Sequence, residues 1–269
     1  MSRRDHSSTI AIIFLTLLAF GVRLISVLPA AFPLNDGGLF HDLIATLVAN
    51  HFNLPTFSLY NGQSIPYAYP PLAFYLVGVL SQMIQIAPLQ LLQFVPVLLT
   101  VACIPAFYVL AVKILESPRQ AALATLAFAF MPRTFDWLIM GGGVTRALGL
   151  LLALLLMRQI VSLFSGQSRK AIVPGIILGA LLVLSHPQAT AHAAITAGLF
   201  YFWKDRSRSS LRDGMIVVAG IAIITAPWWV TVIRRCISLE AAALTSRSTR
   251  PWFAPTPSRT KSGIKRMAV

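Results

Sequence analysis

Negative charge is what this chain most lacks: eight acidic side chains stand against 22 Lys and Arg in 269 residues. Charge of either sign is scarce, at 11% of residues, while 57% are hydrophobic and the mean hydropathy is +0.75. So few charges exclude a soluble protein of this size, which could not keep that much apolar surface from water. Two cysteines, Cys103 in an apolar run and Cys236 near the C-terminus, give neither a disulfide framework nor a metal-ligand spacing. A small-x-small cleavage site is missing after the first apolar stretch, so that stretch reads as an uncleaved helix, not a signal peptide.

Apolar segments are present at 9–30, 71–87, 91–112, 119–132, 145–164, 171–187, 188–203 and 214–233. The formal net charge of +14 sits mostly in the short loops between them and in the tail. That pattern points to membrane lipids as partners and away from nucleic acid. If all eight segments crossed from a cytoplasmic N-terminus, Lys113, Arg119, Arg169, Lys170 and the basic stretch 204–212 would lie outside, against the positive-inside rule. Removing one early span repairs every loop. The segment 71–87 is the weakest, beginning at Pro70-Pro71 and ending in Ser81-Gln82, Gln85 and Pro88, and reads as an interfacial or re-entrant helix. The expectation is an all-α, polytopic helical membrane protein with about seven transmembrane helices. Amphipathic and re-entrant helices occupy a first external loop at about 31–90. The transmembrane domain covers 1–233, followed by a basic tail, 234–269.

This topology sorts the acids. Asp36, Asp42 and Asp136 reach the external face, joined only by Glu240 of the tail; Asp5, Glu116, Asp205 and Asp213 fall among cytoplasmic basic residues, as loop ion pairs would. Arg133 and Arg146 stay external against the charge rule, which calls for a local anionic partner. Asp36, in Leu34-Asn35-Asp36-Gly37-Gly38, precedes a short amphipathic helix at 39–48 and could simply cap its N-terminus. His41 and Asp42 are adjacent on that helix, so at most one faces a cleft. Tyr60, Tyr67, Tyr69 and Tyr75 suit an interfacial aromatic belt or the wall of a sugar site, and Trp228-Trp229 an interfacial anchor.

The order of these features resembles the GT-C class of integral-membrane glycosyltransferases, which includes oligosaccharyltransferase catalytic subunits, protein O-mannosyltransferases and aminoarabinose transferases of lipid A. Asn35-Asp36-Gly37 looks like the acidic motif of the first loop. Tyr69-Pro70-Pro71-Leu72 looks like the Pro-Pro-Leu-Tyr that follows it, and Asp136 stands near the place of the second-loop acid. The segment 141–149, Gly-Gly-Gly-Val-Thr-Arg-Ala-Leu-Gly, is also similar to one in prokaryotic members, and the resemblance covers about 8–233. It implies transfer of a sugar from a polyprenyl-phosphate carrier to an acceptor, with inversion, at the external face of a prokaryotic plasma membrane.

In that reading Asp36 is the catalytic base for the acceptor hydroxyl. Gly142 and Gly143 at a helix N-terminus, with Arg146 and His186, bind the carrier phosphate. Asp136, Asp42 and Tyr69 serve as second acid or acceptor contacts. The bland alternatives are close helix packing for the glycines, a snorkelling Arg146, and a helix-turn hydrogen bond for His186. His192 reads as packing. No cofactor is required. A divalent ion, Mg or Mn, stays open, but Asp136 has no acid at 134 or 138 and hard cations need several oxygen ligands.

The tail carries eight Lys or Arg and one acid from Arg234 to Val269, with no apolar periodicity, and an odd span count puts it outside. Two expectations follow: an N-terminal part of a longer enzyme with related sequence ending near Arg235, inactive as it stands, or a disordered basic tail on anionic lipid. From other functional classes, a lipid or solute transporter or flippase component and a non-catalytic membrane scaffold remain. The spans lack a mid-helix Asp or Glu and any inverted repeat, which argues against the transporter.

Overall fold

The computed structural model describes residues 3–29, 35–140, 143–165 and 169–248. The chain divides into two units, Met1–Trp229 and Val230–Val269. In order come α1 (Arg3–Val27), α2 (Gly37–Ala49), strands β1 (Phe57–Tyr60) and β2 (Gln63–Pro66), α3 (Leu72–Ile84), α4 (Pro88–Leu115) and α5 (Pro118–Phe130). A 3₁₀ turn (Pro132–Thr134) leads to the one-turn α6 (Asp136–Ile139), then α7 (Val144–Phe164). A second 3₁₀ turn (Arg169–Ala171) leads to α8 (Ile172–Val183), α9 (Pro187–Lys204) and α10 (Arg208–Ser248).

Helix boundaries follow local chemistry. Pro88, Pro118 and Pro187 open α4, α5 and α9, where the missing N–H costs nothing. Ser117 caps α5, accepting from the Gln120 N–H, while Gln85 and Glu116 end α3 and α4 in the left-handed conformation. The turn between β1 and β2 has positive φ at both Asn61 and Gly62, the geometry of a two-residue hairpin loop.

Among the described residues, four helices are long and apolar enough to cross a membrane: Thr9–Val27, Pro88–Leu115, Val144–Phe164 and Arg208–Ser238. Their outward faces carry Phe14, Leu17, Leu98, Ile223 and other large exposed apolar side chains, surface that a bilayer and not water would cover. The seven-span expectation goes further than this. α5 has 13 residues and α8 has 12, and at 1.5 Å per residue both fall well short of the roughly 30 Å hydrocarbon core. The segment read as re-entrant, 71–87, forms α3 of 13 residues, which packs Val77 and Gly78 toward Ile44, Val48 and Phe52. The amphipathic segment forms α2.

α4 and α7 are the axis of the first unit. Cys103, Ala106 and Leu110 of α4 share a core with Leu152, Leu156, Met157 and Ile160 of α7, and α8 and α9 close it with Leu182 and Ala193. A second core joins α2 and α3 to the start of α4 through Phe40, Ile44, Phe74, Leu92 and Val95. Arg23 of α1 is fully buried. It donates to the carbonyls of Ala19 (3.1 Å) and Ala129 (3.0 Å) and lies 4.3 Å from the Phe135 ring centroid, tying α1 to the end of α5 and the start of α6.

The tail begins as helix. α10 runs unbroken past Arg234 to Ser248, through an Ala-, Leu- and Glu-bearing stretch of good helix formers, and 249–269 lie outside the described residues.

Candidate functional site

Asp36 ends the connection from α1 and stands directly before α2, but its carboxylate does not cap that helix. Its Oδ2 instead accepts from Arg146 Nη2 at 2.7 Å, closing a contact between residues 110 apart. Arg146 lies in the first turn of α7, is 17% exposed against 40% for Asp36, and stacks 5.0 Å from the Trp137 ring centroid. Its Nη1 is buried with no partner among the described residues. A guanidinium held on one edge, with a free buried edge, is a ready acceptor of a second anionic oxygen.

The start of α7 is fixed from several sides. A Cβ on Gly143 would sit 1.7 Å from the Leu138 carbonyl oxygen, so only glycine lets α7 begin against α6. The Gly143 N–H donates to Met140 O, so it is already committed within the loop; Gly142, like Gly141, lies outside the described residues. Tyr69 Oη is 3.3 Å from Thr145 Oγ1, its ring packed between Phe40 and Phe74. Ser185 Oγ donates to Thr145 O at 3.1 Å, and the Leu72 N–H donates to Leu184 O at 2.9 Å. The Tyr-Pro-Pro-Leu segment and the α8–α9 turn are thereby tied to each other and to the turn of α7 that bears Arg146.

His186 sits in that turn, outside both helices. Gly149 admits it: a Cβ there would fall 2.8 Å from His186 Cβ. Its Nδ1 accepts from the Ala189 N–H at 3.2 Å, capping α9. Burial, and then the nearby Arg146 and His192, push its pKa below the ordinary value. With Nδ1 accepting, the ring proton stands on Nε2, which makes that nitrogen a donor.

A cavity of about 510 Å³ opens beside these groups. Its polar side chains include Arg133, Arg146, His186, Gln188 and His192, with Thr134, Thr196 and Trp137 alongside; Leu150, Leu154 and Met157 of α7 extend it as an apolar trough. Cations and donors at one end of an apolar trough fit a phosphate carrying a long hydrocarbon chain.

The remaining candidates lie elsewhere. Asp42 accepts a hydrogen bond from Ser58 Oγ of β1, which also contacts Thr46, so it fastens α2 to the hairpin and does not reach Arg146. Asp136 is exposed at the start of α6 and does not line the cavity, although its neighbour Trp137 does. Asp36, Arg146, His186 and Tyr69 form one neighbourhood. Trp137, Gln188 and Ser185 belong to it without having been singled out from the sequence, since none carries a charge or motif of its own, and Thr145 enters only as a member of the segment 141–149. Arg23 did carry a signal, as the lone charge inside 9–30.

Among the described residues no three His, Cys, Asp or Glu group as metal ligands. With Asp36 paired to Arg146 and Asp42 to Ser58, the donor set does not fit a divalent ion. No family model matches this chain, and neither a curated protein nor a solved structure matches it.

Proposed function

We propose that this chain is a membrane glycosyltransferase of GT-C type, moving a sugar from a polyprenyl-phosphate carrier to an acceptor at the external membrane face. The observation that carries the reading is the Asp36–Arg146 pair, whose arginine lines a cationic cavity with an apolar trough. The carrier phosphate takes the free edge of Arg146, with Arg133 and the His186 Nε2–H as further donors. A phosphate with several oxygens competes with one carboxylate for the guanidinium, so donor binding loosens Asp36. The freed carboxylate accepts the acceptor's hydroxyl proton. The acceptor oxygen bonds to the anomeric carbon from the opposite face, and the anomeric C–O bond to phosphate breaks with its electron pair leaving on the phosphate oxygen. Tyr69, beside Thr145, lines the approach for sugar or acceptor.

In this proposal seven helices cross: α1, α4, α5, α7, α8, α9 and α10, with the N-terminus cytoplasmic. With the adjoining 3₁₀ turns, 132–134 and 169–171, the two short helices reach about 26 and 24 Å, and the bilayer thins around them to meet that length. The host is a prokaryotic plasma membrane, by resemblance. A second reading shares the cavity: a lipid transporter or flippase component would hold the same phosphate without breaking a bond.

Purified protein given a labelled polyprenyl-phosphate sugar separates the two. The proposal expects transfer that Asp36→Asn abolishes; binding of the carrier without transfer in the unaltered protein would favour the transporter. Topology is read by membrane-impermeant thiol labelling in a Cys236→Ser background. Ser64→Cys is expected to label from outside and Arg208→Cys not, and the reverse pattern overturns the orientation.

A further inference from the structure

We propose that a polar stripe on α9, formed by Gln188, His192 and Thr196, reads the sugar of the lipid-linked donor, and that this sugar carries no positive charge. The proposal rests on the glycosyltransferase reading and names the class of sugar it takes. The three residues follow one another at intervals of four, so they share one side of α9 over roughly 12 Å. All three line the cavity of about 510 Å³ that Arg146 enters. Ala189 and Ala193 line the same wall and add little bulk to fill the space. The α7 wall is apolar, with Leu150, Leu154 and Met157, so the cavity has one wall of each kind. Elsewhere α9 suits lipid, since Ile195, Leu199 and Phe202 are exposed.

Polar side chains in a membrane helix are costly unless something polar meets them. The protein meets these only in part. Thr196 Oγ1 donates to the His192 carbonyl at 2.8 Å, which leaves the hydroxyl's lone pairs free to accept. The side chains of Gln188 and His192 hydrogen-bond to nothing among the described residues. An amide, an imidazole and a hydroxyl offer donors and acceptors together, as the hydroxyls of a sugar require. The prenyl chain then takes the α7 wall, and the phosphate stays at the Arg146 end. Charge sets the class of sugar. Arg133, Arg146, His186 and His192 line the cavity, and among the described residues no acid does. Asp36 is held by Arg146, Asp42 by Ser58, and Asp136 is exposed outside the cavity. Asp5, Glu116, Asp205 and Asp213 stand at the start of α1, the ends of α4 and α9, and the start of α10, and Glu240 belongs to the second unit. An ammonium on the sugar would meet two guanidiniums and no carboxylate, so the site rejects an amino sugar and accepts a neutral one.

Equilibrium binding to the full chain in detergent tests this with labelled probes: polyprenyl phosphate, the same carrier bearing glucose, and the same carrier bearing glucosamine with its amine protonated. Wild-type protein is expected to hold the glucose-bearing carrier about tenfold more tightly than the glucosamine-bearing one. Gln188→Leu is expected to weaken the glucose-bearing carrier by about tenfold and bare polyprenyl phosphate by less than about threefold. Gln188→Glu, close in shape, supplies the missing carboxylate and is expected to close most of the gap between the two sugars. Equal binding of the two sugars by wild type overturns the proposal, and so do equal losses for the bare and glucose-bearing carriers in Gln188→Leu. Should Gln188→Leu fail to fold, Thr196→Val is read in the same way. Binding needs no turnover, so either result leaves the transfer assay to judge the glycosyltransferase reading by itself. A wild type that binds none of the probes overturns both.

Discussion

Arg146 and Arg158 stand on one helix with the same side chain and opposite surroundings. The first is mostly buried, packed on Trp137, and neutralised by an acid from another part of the chain. The second is exposed near the far end of α7 and takes part in none of the ion pairs among the described residues. A guanidinium at a helix end can find lipid or water for itself, so its presence there reports little beyond orientation. One that is desolvated has to be met by built partners, and a partly buried pair is seldom the most stabilising choice at its position. The pair at Asp36 is therefore the more informative of the two, and it makes the start of α7 the candidate site.

The sharpest way to break this contrast is to remove each arginine. Arg146→Gln is expected to reduce carrier-phosphate binding by roughly a hundredfold, the loss of a charge-assisted bidentate contact worth about 2–3 kcal/mol. Arg158→Gln is expected to leave that binding within twofold, and comparable losses in the two variants would erase the distinction. Next comes the frame around Arg146. Gly143→Ala forces α7 away from the Leu138 carbonyl, with an expected cost of about 1–3 kcal/mol in thermal or denaturant unfolding. Gly198→Ala, where an added Cβ meets nothing within 4 Å, is expected to be near neutral. A double-mutant cycle on Asp36→Asn and Arg146→Gln reads the coupling itself. With Asp36 40% exposed, about 1 kcal/mol is expected, between surface and buried pairs; zero coupling would separate the two residues energetically.

The smallest effect concerns pH. Because burial lowers the folded-state pKa of His186 below the ordinary imidazole value, the unfolded chain binds its proton first as pH falls. Stability that is fully present above about pH 6.5, the ordinary imidazole value, is then lost progressively below it. His186→Gln is expected to flatten that part of the pH–stability curve; an unchanged slope would move its origin to other groups.

Much of this site could be read one residue at a time and little of it as a constellation. Asp36 stood out because acids are rare, and Arg146 because it broke the charge rule, yet nothing local couples positions 110 apart. That requires knowing that α7 begins beside the connection preceding α2, which Gly143, Tyr69 and Ser185 arrange through contacts with no sequence signature. Asp42 looked equivalent to Asp36 and is not, because the β1–β2 hairpin supplies Ser58 as its partner. The hairpin carries its own signal in Asn61-Gly62, a two-residue turn of the kind that joins antiparallel strands, although the stretch reads as loop when only helices are expected. Hydropathy marked α5 and α8 as apolar without fixing their length. Their 13 and 12 residues reflect where Pro118 starts one helix, where Pro132 follows it, and where the turn at Ser185 ends the other.

The most direct test is a split measurement on Asp36→Asn, with carrier-phosphate affinity and single-turnover sugar transfer read from the same preparation. Asp36 competes for Arg146 and then takes the proton, so the variant is expected to bind the carrier as tightly as wild type or more so. Its transfer should fall by roughly 10²–10⁴-fold. Wild-type transfer rates in Asp36→Asn would contradict the assignment of this carboxylate as the base.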